Sequence, residues 1–322
     1  MNTFISCDWG TSAFRLRLVD AETQQVLATI KTNQGNALIY NDWKTNHPQE
    51  DRLTFYSHIL ANGVQALEHE YKHSLKGITI VMSGMASSSI GMMELPYKDL
   101  PFHLDGSDVL TETISPLPHL RHTILFISGA KTNEDVMRGE ETKLLGCDIE
   151  NKAVRQLLIL PGTHTKHVTV EGDKVINFST YMTGELFSLL STKSVLAASV
   201  AKDDTEHAGD NTSFFIKGVT EGASSNMLNS IFHVRTSRLF NYHTQQQNYQ
   251  YLSGLLIGSE LKDLLDQKQS AVLLIATGVL APLYQQALQA LNMKTNKIAD
   301  ADEALIAGQC KMYLQVPIPK KQ

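Results

Sequence analysis

Two stretches of the chain, one in each half, share a pattern: an apolar strand, a short loop of glycine and hydroxyl side chains, then two more strands. The predicted strands lie at residues 3–7, 14–18, 26–30, 157–160, 167–170 and 174–178. Loop 1 is Asp8-Trp9-Gly10-Thr11-Ser12, and loop 2 is Pro161-Gly162-Thr163-His164-Thr165. The repeat predicts an internal duplication of the fold, by pattern and not by residue identity.

Both loops have the chemistry of anion-binding turns. Glycine lets backbone N–H groups approach an anion closely, and neighbouring hydroxyls add donors. Each loop alone is as consistent with an ordinary turn, so the prediction of phosphate binding depends on the pair. A strand follows loop 1 where a Walker-type loop would need a helix and a Gly-Lys-Ser/Thr end, which excludes that motif here.

The length of 322 residues, 42% of them hydrophobic, predicts two domains. The polar stretch at residues 151–153 marks the expected boundary, which gives an N-terminal domain at 1–150 and a C-terminal domain at 151–322. A C-terminal helix is predicted at 302–314, and packing of that helix back on the first domain is left open.

Charge and cysteine usage exclude several classes of protein. The net charge of -5 arises from 28 basic and 33 acidic residues without long runs of one sign, which disfavours nucleic-acid and membrane-surface binding. Cys7, Cys147 and Cys310 are far apart and lack CxxC spacing, which argues against disulfides or a zinc site and for a reducing compartment. No secretion signal or membrane-spanning run is recognisable, and a cytoplasmic protein is expected.

The remaining pattern alternates helices and strands. Further helices are predicted at residues 53–71, 136–146, 251–265 and 282–291, and further strands at 78–82, 124–127 and 272–276. Three of these strands run into Ser83-Gly84, Ser128-Gly129 and Thr277-Gly278. In open α/β sheets ligands bind beyond the carboxyl ends of strands, although plain turns explain these dipeptides equally well. Gly254 and Gly258 predict a helix that another element approaches closely.

Six strings stand in a characteristic order along the chain: Asp8-Trp9-Gly10, Gly84-Met85, Val136 to Thr142, Pro161 to His164 with Lys166, Met182-Thr183-Gly184-Glu185-Leu186 and Leu252 to Gly258. Their order resembles the actin-like ATPase superfamily and, within it, the 2-dehydro-3-deoxygalactonokinase family. The resemblance implies an α/β fold of two ribonuclease H-like domains with an interdomain nucleotide cleft, and ATP and Mg²⁺ as cofactors.

The implied activity is the phosphorylation of the terminal (C6) hydroxyl of 2-dehydro-3-deoxy-D-galactonate by ATP in galactonate catabolism. Two alternatives stay open: a kinase of a related 2-keto-3-deoxy acid or ketose, and a non-catalytic nucleotide-binding sensor of the same superfamily. The expected partners are a small sugar acid and ATP, with neither nucleic acid nor membrane. The sequence leaves open whether the chain forms a homo-oligomer.

The resemblance also implies roles for individual residues. Those expected at the ATP phosphates are Gly10, Thr11, Ser12, Gly162, Thr163, His164 and Lys166; those at adenosine are Thr277 and Gly278; those at the sugar acid are Arg138, Arg15, Gly84 and Met85. Asp8 is expected to hold Mg²⁺ through water, because Pro161 gives loop 2 no carboxylate at its start. Asp8 could instead bond its own turn, His164 could be structural, and Arg15 could be solvated.

Glu140 and Glu141 are the candidates for the general base, because the substrate hydroxyl must lose a proton. Neighbours on a helix point ~100° apart, so only one of them can face the substrate, and the other is expected to be structural. The sequence does not choose between them. Without the resemblance, both would be read as solvated charges at a helix start, and Glu185 is likewise as consistent with a helix-terminal charge as with a site residue.

Overall fold

Strands and helices alternate through the residues that the computed structural model describes, namely 2–149, 154–202, 211–265 and 272–317. The strands are β1 (Thr3–Trp9), β2 (Phe14–Asp20), β3 (Val26–Thr32), β4 (Ile80–Ser83), β5 (Lys98–Asp99), β6 (Phe102–His103), β7 (Thr111–Ile114), β8 (Ile124–Ile127), β9 (Ala130–Lys131), β10 (Val136–Met137), β11 (Gln156–Leu160), β12 (Thr165–Glu171), β13 (Lys174–Tyr181), β14 (Val272–Ile275) and β15 (Thr295–Ala299). The α-helices are α1 (Asn36–Asn46), α2 (Arg52–Tyr71), α3 (Glu140–Gly146), α4 (Thr183–Lys193), α5 (Thr212–Ser224), α6 (Met227–Leu239), α7 (Gln245–Leu265), α8 (Leu280–Ala290) and α9 (Ala301–Gln315).

The described residues cluster into two units. Unit 1 draws on residues 1–152, 173–177 and 301–322, and unit 2 draws on 153–172 and 178–300. Helix α9, predicted at 302–314, therefore belongs to unit 1. The polar stretch at 151–153, taken as the domain boundary, lies outside the described residues.

Unit 1 is built on a mixed sheet with the strand order β3-β2-β1-β4-β8-β7. Strands β1, β2 and β3 are antiparallel neighbours, as the sequence predicts, while β1, β4 and β8 are parallel. The parallel register pairs Asp8 with Ser83 at the carboxyl ends of β1 and β4. Loop 1 and the turn after β4 therefore leave the sheet at the same edge.

A helix packs against the unit 1 sheet through a periodic apolar face. Tyr56, Leu60 and Leu67 of α2 are fully buried in the core that also contains the inward side chains of β1 and β2. Asp51 caps the start of the helix: its carboxylate accepts from the Thr54 amide over 2.9 Å and so satisfies a first-turn donor. Helix α9 packs against β1 and β4 as well.

Unit 2 repeats the sheet order of unit 1. Its strands lie in the order β15-β14-β11-β12-β13, with β11 antiparallel to β12 and parallel to β14. Helices α5, α7 and α8 cover a core of buried side chains from β11 and β14. In both units, the first three strands are neighbours in sequence order, and two parallel strands follow on the other side of the first strand. This shared order confirms the predicted duplication and the α/β fold.

Glycines let α5 and α7 cross in close backbone contact. A Cβ on Gly254 would lie 2.1 Å from the Phe215 carbonyl oxygen, and one on Gly258 would lie 2.1 Å from that of Val219. Helix α5 contributes Gly218 in the same way, 2.3 Å from a carbonyl oxygen of α7. The close approach predicted from Gly254 and Gly258 is confirmed, and its partner is α5.

Several elements differ from the sequence prediction. The predicted helix at 136–146 begins only at Glu140, because Val136 and Met137 form β10 and pair with β9. The sequence analysis does not predict helix α1 or strand β15. Strand β15 alternates only between exposed and half-buried residues, and α1 buries only Asn36 and Ile39, so both have a weak apolar period. Cys7, Cys147 and Cys310 form no disulfide, in line with the expectation from their spacing. Within the described ranges, no helix has the length and apolar character to cross a membrane.

Candidate active site

Loop 1 is a closed turn supported by the start of α1. The Gly10 amide donates to the Ala13 carbonyl over 2.9 Å, which closes the turn. Behind the loop, the Asn36 side-chain amide donates to the Gly10 carbonyl over 3.1 Å, and the Ala37 amide donates to the Thr11 carbonyl over 3.1 Å. Thr11 and Ser12 are exposed, so their hydroxyls are available to a ligand.

Loop 2 is supported in the same way by the start of α4. The Glu185 amide donates to the Thr163 carbonyl over 3.0 Å, and the Glu185 carboxylate lies 2.5 Å from His164 Nε2. Thr163 and His164 are exposed. Lys166 is buried, and its ammonium group donates to the His164 carbonyl over 3.4 Å. Glu185, left open by the sequence, thus supports loop 2.

Both loops combine an open glycine with a second glycine packed behind it. Beyond their chain neighbours, a Cβ on Gly10 or Gly162 would meet nothing closer than 3.8 Å. In contrast, a Cβ on Gly35 would lie 2.3 Å from a loop 1 carbonyl oxygen, and one on Gly184 would lie 2.5 Å from a loop 2 carbonyl oxygen. The front of each loop can therefore admit an anion while its back is held by a helix start.

Turns of unit 1 meet beside Asp8. Gly84 has φ +87°, and a Cβ there would lie 3.7 Å from Asp8 Oδ1. Gly139 has φ +105°, and a Cβ there would lie 3.1 Å from the Gly84 Cα. Both positions favour glycine because of their positive φ, and the close approach leaves little room for a side chain. Asp8, Gly84 and the start of α3, with Glu140 and Glu141, are thus brought together; Met85 follows in a half-buried turn.

The Asp8 carboxylate is suited to a hydrated divalent cation. It is half-buried, and within the described part of the chain no protein donor bonds to it. Magnesium keeps several waters in protein sites and is bound through one or two carboxylates together with substrate phosphates. No group of three or more His, Cys, Asp or Glu side chains among the described residues could hold a metal ion by itself. The donor set therefore fits Mg²⁺ that arrives with nucleotide phosphates.

The two glutamates at the start of α3 have different surroundings. Glu141 is 1% exposed, and its carboxylate accepts from the Gly139 amide at 2.7 and 2.9 Å and from the Thr142 hydroxyl at 3.0 Å. Burial, and then the neighbouring charge of Glu140, raises the pKa of Glu141 from its ordinary 4.5 to about 7. Glu140 is half-buried, and one of its oxygens accepts from the Arg138 amide over 3.2 Å.

Protein groups bind the Arg138 guanidinium. Nη1 donates to the carbonyl and the hydroxyl of Ser87, the latter over 2.7 Å, and Nη2 donates to the Leu95 carbonyl over 3.1 Å. The guanidinium carbon lies 4.1 Å from the centre of the Tyr97 ring. Nε is buried and has no hydrogen-bond partner in the described ranges. Arg138 therefore ties the segment after β4 to the start of α3.

Arg15, the second arginine predicted for the substrate carboxylate, is paired within unit 1. Its Nη1 donates to Asp302 Oδ1 over 2.7 Å, and Nη2 of the buried Arg17 lies 3.0 Å from the same oxygen. Because Asp302 lies in the first turn of α9, the two arginines also neutralise a charge at that helix start. This geometry explains Arg15 without a ligand.

Unit 2 contains a pocket of about 660 Å³. Its apolar and aromatic lining includes Phe187, Phe215, Tyr249, Leu256, Ile257 and Leu283. Gly162 of loop 2 and Gly184 of α4 also line it, so the pocket adjoins the second phosphate-loop candidate. Thr277 and Gly278 are exposed and directly precede Val279, which is the first lining residue of that segment. The volume is in the range of small-molecule sites.

Sequence reasoning missed several residues that support the site. Asn36 and Gly35 brace loop 1, and Glu260 forms a buried polar cluster behind loop 2. Glu260 carried a recognisable signal: it lies four residues after Leu256 and four before Leu264, so a carboxylate stands on the apolar face of α7. Asn36 carried none, because a lone polar residue after a glycine is typical of many turns.

The sheet order of both units, with a glycine loop after the first strand of each, defines a duplicated α/β fold with one candidate phosphate loop in each unit. The family model described as 2-keto-3-deoxy-galactonokinase matches residues 8–312. The chain belongs to the 2-keto-3-deoxy-galactonokinase family, a family of kinases.

Individual relatives agree with this assignment. A probable 2-dehydro-3-deoxygalactonokinase of Rhizobium meliloti (strain 1021) is 32% identical over 313 residues, which cover 95% of this chain and 94% of that protein. The 2-dehydro-3-deoxygalactonokinase of Escherichia coli (strain K12) is 34% identical over 236 residues, which cover 71% of this chain and 76% of that protein. A crystal structure of a candidate 2-dehydro-3-deoxygalactonokinase from Sinorhizobium meliloti has a TM-score of 0.79 at 29% identity and covers 99% of this chain and 98% of its own.

Proposed function

We propose that this chain transfers the γ-phosphoryl group of ATP to the terminal (C6) hydroxyl of 2-dehydro-3-deoxy-D-galactonate. The carrying observation is the buried carboxylate of Glu141, which lies in the same cluster of turns as Asp8 and loop 1. A nucleotide-binding sensor would need no such base. The relatives named above support the choice of sugar acid.

In the proposed reaction, the hydroxyl oxygen forms a bond to the γ-phosphorus while the bond from that phosphorus to the β–γ bridging oxygen breaks. ADP leaves with the electron pair of the broken bond, and the hydroxyl proton passes to Glu141. A pKa of about 7 suits a general base that works near neutral pH. Glu140 lies beside it and raises that pKa.

We assign the nucleotide to the glycine loops and to the pocket of unit 2. Amides and hydroxyls of loop 1 and loop 2 would donate to phosphate oxygens, with Lys166 close behind loop 2. The apolar pocket that continues from Gly162 would hold the adenosine, and Thr277 and Gly278 would lie at its margin. Asp8 would hold Mg²⁺ through water, and the cation would neutralise phosphate charge.

The substrate end is proposed from the same turns. Gly84 lies between Asp8 and the start of α3, where a sugar hydroxyl would have to approach Glu141, and Met85 follows Gly84 in the next turn. Arg138 keeps Nε as a donor without a partner in the described ranges, which makes it the better candidate than Arg15 for the carboxylate of the sugar acid.

A coupled ADP-release assay tests the proposal. It compares 2-dehydro-3-deoxy-D-galactonate, its C4 epimer and a neutral ketose under the same ATP and Mg²⁺ concentrations. We expect the galactonate derivative to give the highest kcat/KM. A preference for the ketose would contradict the sugar-acid assignment, and the absence of substrate-dependent ADP release would favour a sensor.

Replacing Asp8 by asparagine tests the magnesium assignment. Since the amide carries no charge, Asp8→Asn should reduce turnover by at least ~10-fold and raise the Mg²⁺ concentration needed for half-maximal rate. Turnover is measured against Mg²⁺ at constant ATP. The control is Asp99→Asn, which removes a carboxylate that is 77% exposed. An unchanged Mg²⁺ dependence in Asp8→Asn would place the cation elsewhere.

A further inference from the structure

A buried carboxylate on α7 has no part in the proposed chemistry. Glu260 is 3% exposed, and its Oε1 lies 2.9 Å from His167 Nε2. Its Oε2 accepts from the Tyr284 hydroxyl over 2.7 Å and from the Thr183 hydroxyl. A buried carboxylate requires partners of this kind, because an unpaired buried charge is strongly destabilising.

The donors come from different elements around loop 2. His167 lies on β12, two residues beyond the end of the loop, and Thr183 is the first residue of α4. Tyr284 lies on α8, and its hydroxyl is also 3.0 Å from that of Thr165, the last residue of loop 2. Glu260 therefore connects the end of the loop, the helix that braces it and α8 through one side chain.

The donors and acceptors of the cluster follow from its geometry. Burial, together with the charge of Glu260, raises the pKa of Tyr284 well above its usual value, so the phenol stays a neutral donor. Because a carboxylate oxygen can only accept, His167 Nε2 carries the hydrogen of that bond. His167 Nδ1 is buried without a hydrogen-bond partner in the described ranges, so the hydrogen bond to Glu260 orients the ring.

The cluster reaches the proposed nucleotide site through two of its members. Thr183 and Tyr284 both line the pocket of unit 2. The residue after Thr183 is Gly184, which packs closely against loop 2: a Cβ added to Gly184 would lie 2.5 Å from the Gly162 carbonyl oxygen. With so little free space, a shift of Thr183 must shift loop 2 as well.

We infer that Glu260 is a positioning residue that holds loop 2 and the start of α4 in the geometry that binds the ATP phosphates. This inference rests on the proposed function, since it assumes that loop 2 and its pocket bind a nucleotide. Glu260 acts through Thr183, Tyr284 and Thr165 and does not itself contact the ligand.

The test measures the affinity of the full-length chain for ADP with Mg²⁺ by titration calorimetry. Glu260→Leu removes all the hydrogen bonds of the carboxylate and should weaken ADP binding by at least ~10-fold. Glu260→Gln should recover most of the affinity: its carbonyl oxygen can accept from Thr183 and Tyr284, while its amide donates to the other tautomer of His167.

Asn248→Leu is the matched control on the same helix. Asn248 is fully buried and donates to the carbonyls of Ser199 and Val234 over 3.0 and 2.8 Å, and none of these three residues lines the pocket. Asn248→Leu should lower Tm by about as much as Glu260→Leu does. Its affinity for ADP should stay within ~2-fold of the wild-type affinity. Equal losses of ADP affinity in the two leucine variants, or no recovery in Glu260→Gln, would overturn the inference.

A milder variant keeps the test decisive if Glu260→Leu does not fold. Thr165→Val cuts only the link between loop 2 and Tyr284, and Thr165 is fully buried outside the pocket lining. We expect at least ~3-fold weaker ADP binding, and unchanged binding would overturn the inference. ADP affinity needs no turnover, so a wild type that binds ADP but phosphorylates no sugar acid would contradict the proposed function alone. A wild type that does not bind ADP would overturn both.

Discussion

Glu141→Gln should reduce kcat by at least ~10²-fold while ADP affinity stays nearly unchanged. Glutamine keeps the shape of the side chain and an oxygen that can accept from the Gly139 amide, but it cannot take the substrate proton. In the wild type, kcat/KM should rise with pH through a midpoint near 7, because Glu141 must be deprotonated to act as base. The measurement is steady-state ADP release between pH 5 and 9.

Glu140→Gln is the matched control for this experiment. It removes the adjacent carboxylate, whose charge helps to raise the pKa of Glu141, so the rising limb should move to lower pH. The loss of kcat should stay below ~10-fold. If Glu140→Gln gives the larger loss and Glu141→Gln remains active, Glu140 is the base and Glu141 supports the turn at Gly139.

The same carboxylate has an effect on stability with a defined sign. The folded-state pKa of Glu141, about 7, lies above its ordinary 4.5, so the protonated form favours folding. This stabilisation is complete below pH 4.5 and is lost as the pH rises through 7. The lost contribution amounts to about 3 kcal/mol. Glutamine does not titrate, so Glu141→Gln does not lose this stability as the pH rises. The Tm of the variant should therefore rise relative to the Tm of the wild type between pH 4.5 and 8.

Gly254→Ala should lower the free energy of unfolding by about 3 kcal/mol, because the added Cβ meets backbone and not a flexible side chain. That Cβ would lie 2.1 Å from the Phe215 carbonyl oxygen and 2.9 Å from the Val219 nitrogen. Helices α5 and α7 must then separate, which opens the core that they share with β11 and β14. Thermal and urea unfolding measure the effect.

Lys262→Ala provides the comparison on α7. Lys262 is exposed on the same helix, so the substitution removes a side chain without changing a helix contact. Its Tm should stay within about 1–2 °C of wild type, since surface substitutions of this kind usually change stability little. A Gly254→Ala variant as stable as Lys262→Ala would show that the helices can move apart at little cost.

The elements that the sequence predicted well are those whose periodicity is strong. The apolar strands beside loop 1 and loop 2, and helix α2, follow clear periods of two and 3.6 residues. The sequence predicts a helix over the residues of β10 because two residues carry no period of their own, and the pairing of β10 with β9 is a tertiary effect. The local hydrophobic pattern therefore predicts the long strands of the sheets but not two-residue strands such as β10.

The sequence predicted which residue types form the candidate site, but not which residues they contact or how deeply they are buried. The glycines and carboxylates were recognisable because their chemistry is visible in single residues. In contrast, the engagement of Arg138 by Ser87 and Leu95 depends on contacts between segments more than forty positions apart. The difference between Glu140 and Glu141 likewise depends on burial, which two adjacent letters of a helix start do not reveal.

Helix α9 affects the order in which the chain can fold during synthesis. Its Gln309 side chain donates to the Cys7 carbonyl and to the Ser83 hydroxyl, and a Cβ on Gly308 would lie 1.8 Å from the Thr142 carbonyl oxygen. These residues leave the ribosome only after all of unit 2 has been made. Unit 1 thus begins to be translated first but receives its last element, α9, at the end of synthesis. A nascent chain that stops before residue 301 lacks α9, so the face of β1 and β4 that this helix covers stays exposed.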